Sequence, residues 1–283
     1  MRPDQLIKDG RKTLCTIRHR TLDDVMTAIQ ESLDREQTYS SRRKDKDFTG
    51  TSSLEEYRDM LLHGWDAGVD GVEGLDGLST DHAEKLCFER NVGGAFPIVP
   101  AHLAGMPNSM LSPTIKTADS ARGLTLVIDS CFSYGVETST IITYAREVMK
   151  LVAWLQAEQL EVAVYVVVPI MLGSNNNKRV LYVTPIREAG QVFQPERIAS
   201  ILHPSWLRRG WFATLEYDYH VRGVKDAACC RSGYGSVTHA KPEELRAAIP
   251  EAYSVILLPK VGVHDPAKAL REAVTLKLRR GDA

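Results

Sequence analysis

The stretch that decides the fold is LTLVIDSCFSYGVETSTIITYAREVMKLVAWL, Leu124 to Leu155. Leu124 to Asp129 is an unbroken apolar run closed by an acid, the pattern of a parallel strand buried on both faces. A short polar turn follows. From Glu137 to Leu160, Ile141, Tyr144, Ala145, Val148, Leu151, Val152 and Leu155 recur at helical spacing, which predicts a helix of about six turns. EVAVYVVVPI, Glu161 to Ile170, is a second buried strand, rich in valine. Residues 124–170 therefore form a βαβ unit. The cluster GSNNNK is a turn, and RVLYVTPI after it is a third strand, joined closely enough to predict an antiparallel hairpin.

Further on, PERIASIL and PSWLRRGWFATLE predict short helices and YSVILLPKVG a late buried strand. DPAKALREAVTLKLRR is a closing helix, with Pro266 in its first turn and basic residues at its end. Upstream the chain changes character. LDDVMTAIQESLDRE is a helix that Thr21 can cap, with Asp24 three residues on. TYSSRRKDKD has no periodicity and predicts an exposed loop or linker. In TSSLEEYRDMLLHGW, Ser52 or Ser53 caps a short helix that turns Leu54, Tyr57, Met60 and Leu61 inward and ends at Gly64. DAGVDGVEGLDGLSTD lacks the spacing of a calcium loop and predicts an acidic loop before a helix in DHAEKLCFER. FPIVPAHLAGMPNSML, punctuated by Pro97, Pro100 and Pro107, predicts irregular structure.

The whole chain has 283 residues, 43% hydrophobic and 25% charged, with a formal net charge of -1. That balance excludes a protein that coats nucleic acid through bulk charge. The N-terminus has no apolar core of a secretory signal, and no apolar run approaches the roughly 18 residues of a membrane span. Five cysteines at irregular spacings, with no Cys-x-x-Cys, are expected to be free thiols in a reducing cytosol. Cys229 and Cys230 are expected to be structural.

Ligands of an open α/β sheet gather beyond the carboxyl ends of its strands, where the turn Asp129 to Ser133 stands. Asp129, Cys131 and Ser133 alternate there, so an extended turn could aim all three at one point. An acid and a hydroxyl suit a hard divalent cation, Mg or Mn. Cys131 could instead be a nucleophile, but it would need a histidine base, and none of the eight histidines is placed there by sequence. A second group interleaves aromatic and basic residues. Trp206, Arg208, Arg209 and Trp211, with the loop cluster Arg42, Arg43, Lys44 and Lys46, have the chemistry to stack on bases and pair with phosphates. His203 before Pro204 is expected to be structural, and His220 with the cysteine pair matches no common zinc spacing. No P-loop, Gly-x-Gly-x-x-Gly, Gly-x-Ser-x-Gly or His-Glu-x-x-His is present, which favours binding over catalysis.

The segment VIDSCFSYGVETSTIITYAREVMKLVAWLQAEQLEVAVYVV resembles the opening of a von Willebrand factor A-type domain. The resemblance implies a von Willebrand A-like (Rossmann-type) open α/β sheet flanked by helices over residues 110–283. Residues 1–109 would then be a mainly helical and irregular extension packed around it. It implies a metal site of Asp129, Cys131 and Ser133, completed by Thr184 and Asp265 from later loops, and an antiparallel edge strand beside the second strand. Cys131 departs from the family's serine, and a thiolate is a soft ligand for magnesium. FTGTSSLEEYRDMLLHGWDAG, VPAHLAGMPNSM and HPSWLRRGWFATLE, in that order, also resemble a family encoded by phages and mobile elements. That likeness implies a viral or mobile-element origin, in the host cytoplasm or the virion, and no particular activity. The expected function is binding and assembly, with a protein partner or a second copy. The alternatives are a nucleic-acid-associated factor in replication or packaging, and an enzyme using Asp129 or Cys131.

Overall fold

The computed structural model describes residues 5–9, 12–35, 46–72, 85–91, 96–106, 109–116, 123–132, 135–157, 160–172, 178–188, 191, 194–222, 239–249 and 254–279. The centre is the unit expected from the sequence. Strand β6 (Gly123–Asp129) leads through helix α5 (Thr138–Ala157) to strand β7 (Glu161–Leu172), which lies parallel to β6 from Gly123↔Glu161 to Asp129↔Val167. β8 (Lys178–Arg187) returns antiparallel to β7, as the short turn predicts, and β9 (Ser254–Leu257) pairs parallel to the other side of β6.

The sheet does not end at β8. β1 (Gln5–Asp9) and β2 (Lys12–His19) form a hairpin, and β2 pairs parallel to β8, giving a six-stranded mixed sheet in the order β1-β2-β8-β7-β6-β9. The edge position expected for β8 is therefore occupied, and the N-terminal extension, expected to be helical and irregular, contributes two strands of the main sheet. Thr16, Ile17, Arg18 and His19 alternate too weakly between apolar and polar to signal a strand. Pairing with β8 supplies what local pattern does not.

Capping chemistry fixes the N-terminal helices. Helix α1 (Leu22–Asp34) starts at a full capping box: the Thr21 hydroxyl accepts from the Asp24 amide, and the Asp24 carboxylate from the Thr21 amide. A four-residue turn of helix, α2, covers Lys46–Thr49. Helix α3 (Leu54–His63) is capped by Ser53 and stopped by Gly64 at φ +96°, a backbone state that side chains other than glycine's resist.

A second sheet departs from expectation. DHAEKLCFER was expected to be helical, yet its described part is strand β3 (Lys85–Asn91), paired antiparallel to β5 (Met110–Lys116) along its whole length. Helix propensity is a weak prior, and cross-strand pairing overrides it here. The segment expected to be irregular contributes β4 (Phe96–Pro97), helix α4 (Val99–Leu103) and the start of β5, and the sheet runs in the order β3-β5-β4.

Helix α6 (Pro195–Leu202), a π-helical segment (Trp206–Trp211) and helix α7 (Phe212–His220) follow β8, then α8 (Pro242–Ala248) and α9 (Pro266–Arg279). Rows of the sheet alternate between its two faces. Leu126, Ile128, Val164, Val166 and Tyr182 face a large core shared with α1, α3, α5, α6, α7 and α9. Val127, Val167, Leu181, Val183, Cys15 and Ile17 face a smaller cluster closed by Leu245, Ala248 and Ile249 of the α8 region. No helix among the described residues is long and apolar enough to cross a membrane.

Candidate functional site

Asp129 ends β6 with a buried carboxylate that is already engaged. Its Oδ1 accepts the Cys131 amide at 3.0 Å. Its Oδ2 accepts the Ala240 amide at 3.0 Å and meets His239 Nδ1 at 3.1 Å. Burial pushes the Asp129 carboxyl above its ordinary value, while the bonds from Cys131, Ala240 and His239 work against that shift. The acid thus fastens the segment leading into α8 onto the carboxyl end of the central strand. The His239 ring remains 34% exposed, and Cys131 is half-buried.

Of the other expected metal ligands, Thr184 and Asp265 do not gather around this carboxylate. Ser133 lies outside the described residues. Thr184 shares a row with Val166 and Ile128, whereas Asp129 shares the next row with Val167 and Val183, so Thr184 belongs to the opposite face. Its buried hydroxyl has no hydrogen-bond partner among the described residues. Asp265 is exposed and caps α9, its Oδ1 accepting the Lys268 amide at 3.0 Å. Among the described residues no group of three or more His, Cys, Asp and Glu side chains could hold a metal ion.

The four expected nucleic-acid residues of the π-helical segment belong to a core. Trp206, Arg208, Arg209 and Trp211 are all buried, with the two indoles edge to face at 5.9 Å. Arg209 donates from Nε to Thr51 Oγ1 at 2.7 Å and from Nη2 to the Thr51 carbonyl at 2.8 Å and Thr49 Oγ1 at 3.1 Å. Arg208 donates to the Phe48 and Val136 carbonyls and stacks on Phe48 at 4.0 Å and Phe132 at 5.0 Å. The π-turn aims both guanidiniums inward, where they clamp the loop after α2 and the turn before α5. Interleaved aromatics and arginines signal base stacking only when they face solvent, and these do not. Arg42, Arg43 and Lys44 lie outside the described residues, as do Cys229 and Cys230; Lys46 is exposed at the start of α2.

His203 is structural, as expected. Its Nδ1 accepts the Ser205 amide at 3.2 Å, its ring meets Trp65 edge to face at 4.8 Å, and burial lowers its pKa to about 4. On the smaller face, Cys15 lies beside Glu244, which is paired to Arg179; burial, with help from Glu244, pushes the thiol up to about 12. A third charged cluster joins β2 and β8 to α7. Arg20 pairs with buried Asp218 at 2.9 Å, and the Tyr182 hydroxyl donates to the same carboxylate at 3.3 Å. Each charge has a named partner, as buried charges require.

Two features escape a reading by sequence. His239 stands 110 residues from the acid it bonds, with no spacing rule to connect them. Helix α4 and its closing turn expose Val99, Leu103 and Met106, with Leu103 at 81%. The alternation of Pro100, Ala101 and Gly105 with these apolar residues hides an apolar surface inside what resembles a loop.

The architecture is that of a mixed α/β protein with a polar tether at the carboxyl end of its central strand. Residues 10–278 match the family described as Domain of unknown function (DUF7192), and the chain belongs to that family. No curated protein and no solved structure matches it.

Proposed function

We propose that this chain is a binding and assembly protein of a phage or mobile element, built on a von Willebrand A-like sheet and docking without a divalent cation. The observation that carries the reading is the apolar surface of α4. Val99 and Leu103 stand one turn apart and Met106 closes that turn, each more than half exposed. Neighbouring large apolar side chains left in water mark docking surfaces. The strand order β8-β7-β6-β9, with β8 antiparallel, supports the likeness to the von Willebrand A sheet. The three donors on Asp129 argue for docking that is independent of Mg or Mn, because a cation would have to displace them. The host cytoplasm or the virion is the place this reading assigns to the protein.

The partner to test first is a second copy of the chain. Sedimentation velocity over a range of concentrations, with EDTA and with excess Mg²⁺, should give the same concentration-dependent association in both buffers. Leu103→Asp should weaken it at least tenfold, as removal of a central apolar anchor does. A chain that stays monomeric throughout overturns self-assembly, and association that requires Mg²⁺ overturns the cation-free form of the reading.

A further inference from the structure

The mixed sheet has carboxyl ends of strands at both of its ends. Those of β6 and β7 lie at the end that carries Asp129. β8 runs antiparallel to β7, so its carboxyl end, and that of β2 parallel to it, lie at the opposite end. Both strands lead into helices there. β2 ends at His19 and α1 begins at Leu22; β8 ends at Arg187 and α6 begins at Pro195. A cleft of about 340 Å³ lies between the two helix starts. Its volume is that of a small-molecule site, and it stands where ligands of α/β sheets gather, beyond the carboxyl ends of neighbouring parallel strands.

Leu22, Ile186 and Ile198 give the cleft an apolar part. Arg187 is buried, its Nε donating to the Gln191 carbonyl at 3.1 Å and its Nη1 to the Val162 carbonyl at 2.5 Å, so a fixed guanidinium forms one wall. Burial lowers its pKa, with Glu161 pulling the other way, and an anion seated in the cleft would favour its charged form as Glu161 does. Asp23 of α1 and Arg197 of α6 line the same cleft. Both are exposed, and neither side chain has a hydrogen bond or ion pair among the described residues, with the other or with a third group. Opposite charges that share a cavity without pairing suit a ligand that carries both charges, since each then gains a charge-assisted bond. Gln194, at the N-cap of α6, makes no capping bond, so its carboxamide donors are open to the cleft it lines.

We propose that the cleft at the carboxyl ends of β2 and β8 binds a small zwitterion of the aliphatic α-amino acid class. Arg197 and Gln194 hold its carboxylate, within the field of Arg187. Asp23 accepts from its ammonium group, and its side chain rests on Leu22, Ile186 and Ile198. This inference is independent of the docking surface on α4, since it uses neither its residues nor an oligomer.

Isothermal titration of the full chain tests it, with L-leucine, L-isoleucine and L-valine as probes. Isocaproate serves as the analogue without an amine and isoamylamine as the analogue without a carboxylate. At least one amino acid should bind and raise the thermal midpoint, and both analogues should bind about tenfold more weakly or worse. Arg197→Gln and Asp23→Asn, both at exposed positions, should fold as the wild type does and each lower the affinity for that amino acid by a similar factor. The analogues test the need for both charges without any variant. If none of the three amino acids binds at millimolar concentration, the proposal is overturned. Isocaproate or isoamylamine binding as tightly as the amino acid overturns it too, as does wild-type affinity in both folded variants.

Discussion

Arg209 holds Thr51 at both ends: its Nε donates to the Thr51 hydroxyl at 2.7 Å and its Nη2 to the Thr51 carbonyl at 2.8 Å, across 158 residues of sequence. The loop between α2 and α3 is thereby stitched to the π-turn. Ser205 completes the clamp by donating to the Thr49 carbonyl at 2.6 Å.

Removing that guanidinium strips three bonds from buried partners and opens a cavity. Arg209→Ala is expected to cost about 3 kcal/mol, and Arg209→Lys most of the same, because an ammonium cannot span the fork. Urea unfolding measures both. Binding to a labelled DNA or RNA oligonucleotide by folded Arg208→Gln or Arg209→Gln, which remove the charge, should keep the wild-type salt slope. A slope that drops in these variants would restore the nucleic-acid reading of this segment.

His203 makes the fold sensitive to acid. Its folded pKa of about 4 lies below the ordinary 6.5, so the neutral ring is the form the core accepts. The stability it contributes is full above pH 6.5, where the unfolded chain is neutral too, and is lost as the pH falls from 6.5 through 4. The span corresponds to roughly 3 kcal/mol. Thermal midpoints measured across that range should fall in the wild type, and the fall should be distinctly shallower in His203→Phe. Parallel slopes would assign the acid sensitivity elsewhere.

Gly50 packs against the same ring. Its φ is +83°, and an added Cβ would stand 2.6 Å from His203 Cε1. Gly50→Ala therefore carries both backbone strain and a clash, and about 2 kcal/mol of lost stability is expected. A double-mutant cycle with His203→Ala separates the two. The clash component should vanish in the double variant, leaving only the strain of the left-handed backbone.

Asp129→Ala removes the acceptor of three donors and leaves the Ala240 amide buried without its partner. A loss of about 2 kcal/mol is expected in metal-free buffer. Excess Mg²⁺ or Mn²⁺ should leave the wild-type midpoint in place, whereas a cation at a hundred times its dissociation constant would add about 2.7 kcal/mol. A rise confined to the wild type would establish Asp129 as a metal ligand and end the cation-free reading.

Much of the architecture was written locally. The run Leu124 to Asp129, the helical repeat of Ile141, Tyr144, Val148, Val152 and Leu155, and the valine-rich Glu161 to Ile170 each bury a face that only one element type can bury, so strand, helix and strand follow from periodicity. The Thr21–Asp24 box, Ser53 with Gly64, and Pro266 set helix ends through contacts within a few residues. Asp129 was legible as the acid at a strand's carboxyl end for the same local reason.

What the tertiary structure decided was every relationship between distant segments. Lys85–Asn91 is a strand because β5 pairs with it, and Lys12–His19 because β8 does. Thr184 lies across the sheet from Asp129 because one residue of register changes the face. Arg208 and Arg209 are buried because the carbonyls and hydroxyls of residues 48 to 51 and 136 come to meet them. His239 reaches Asp129 only once α8 has closed over the sheet. Periodicity records which side of an element is buried; it carries no record of which partner buries it, since that choice is made by contacts whose two halves lie far apart along the chain.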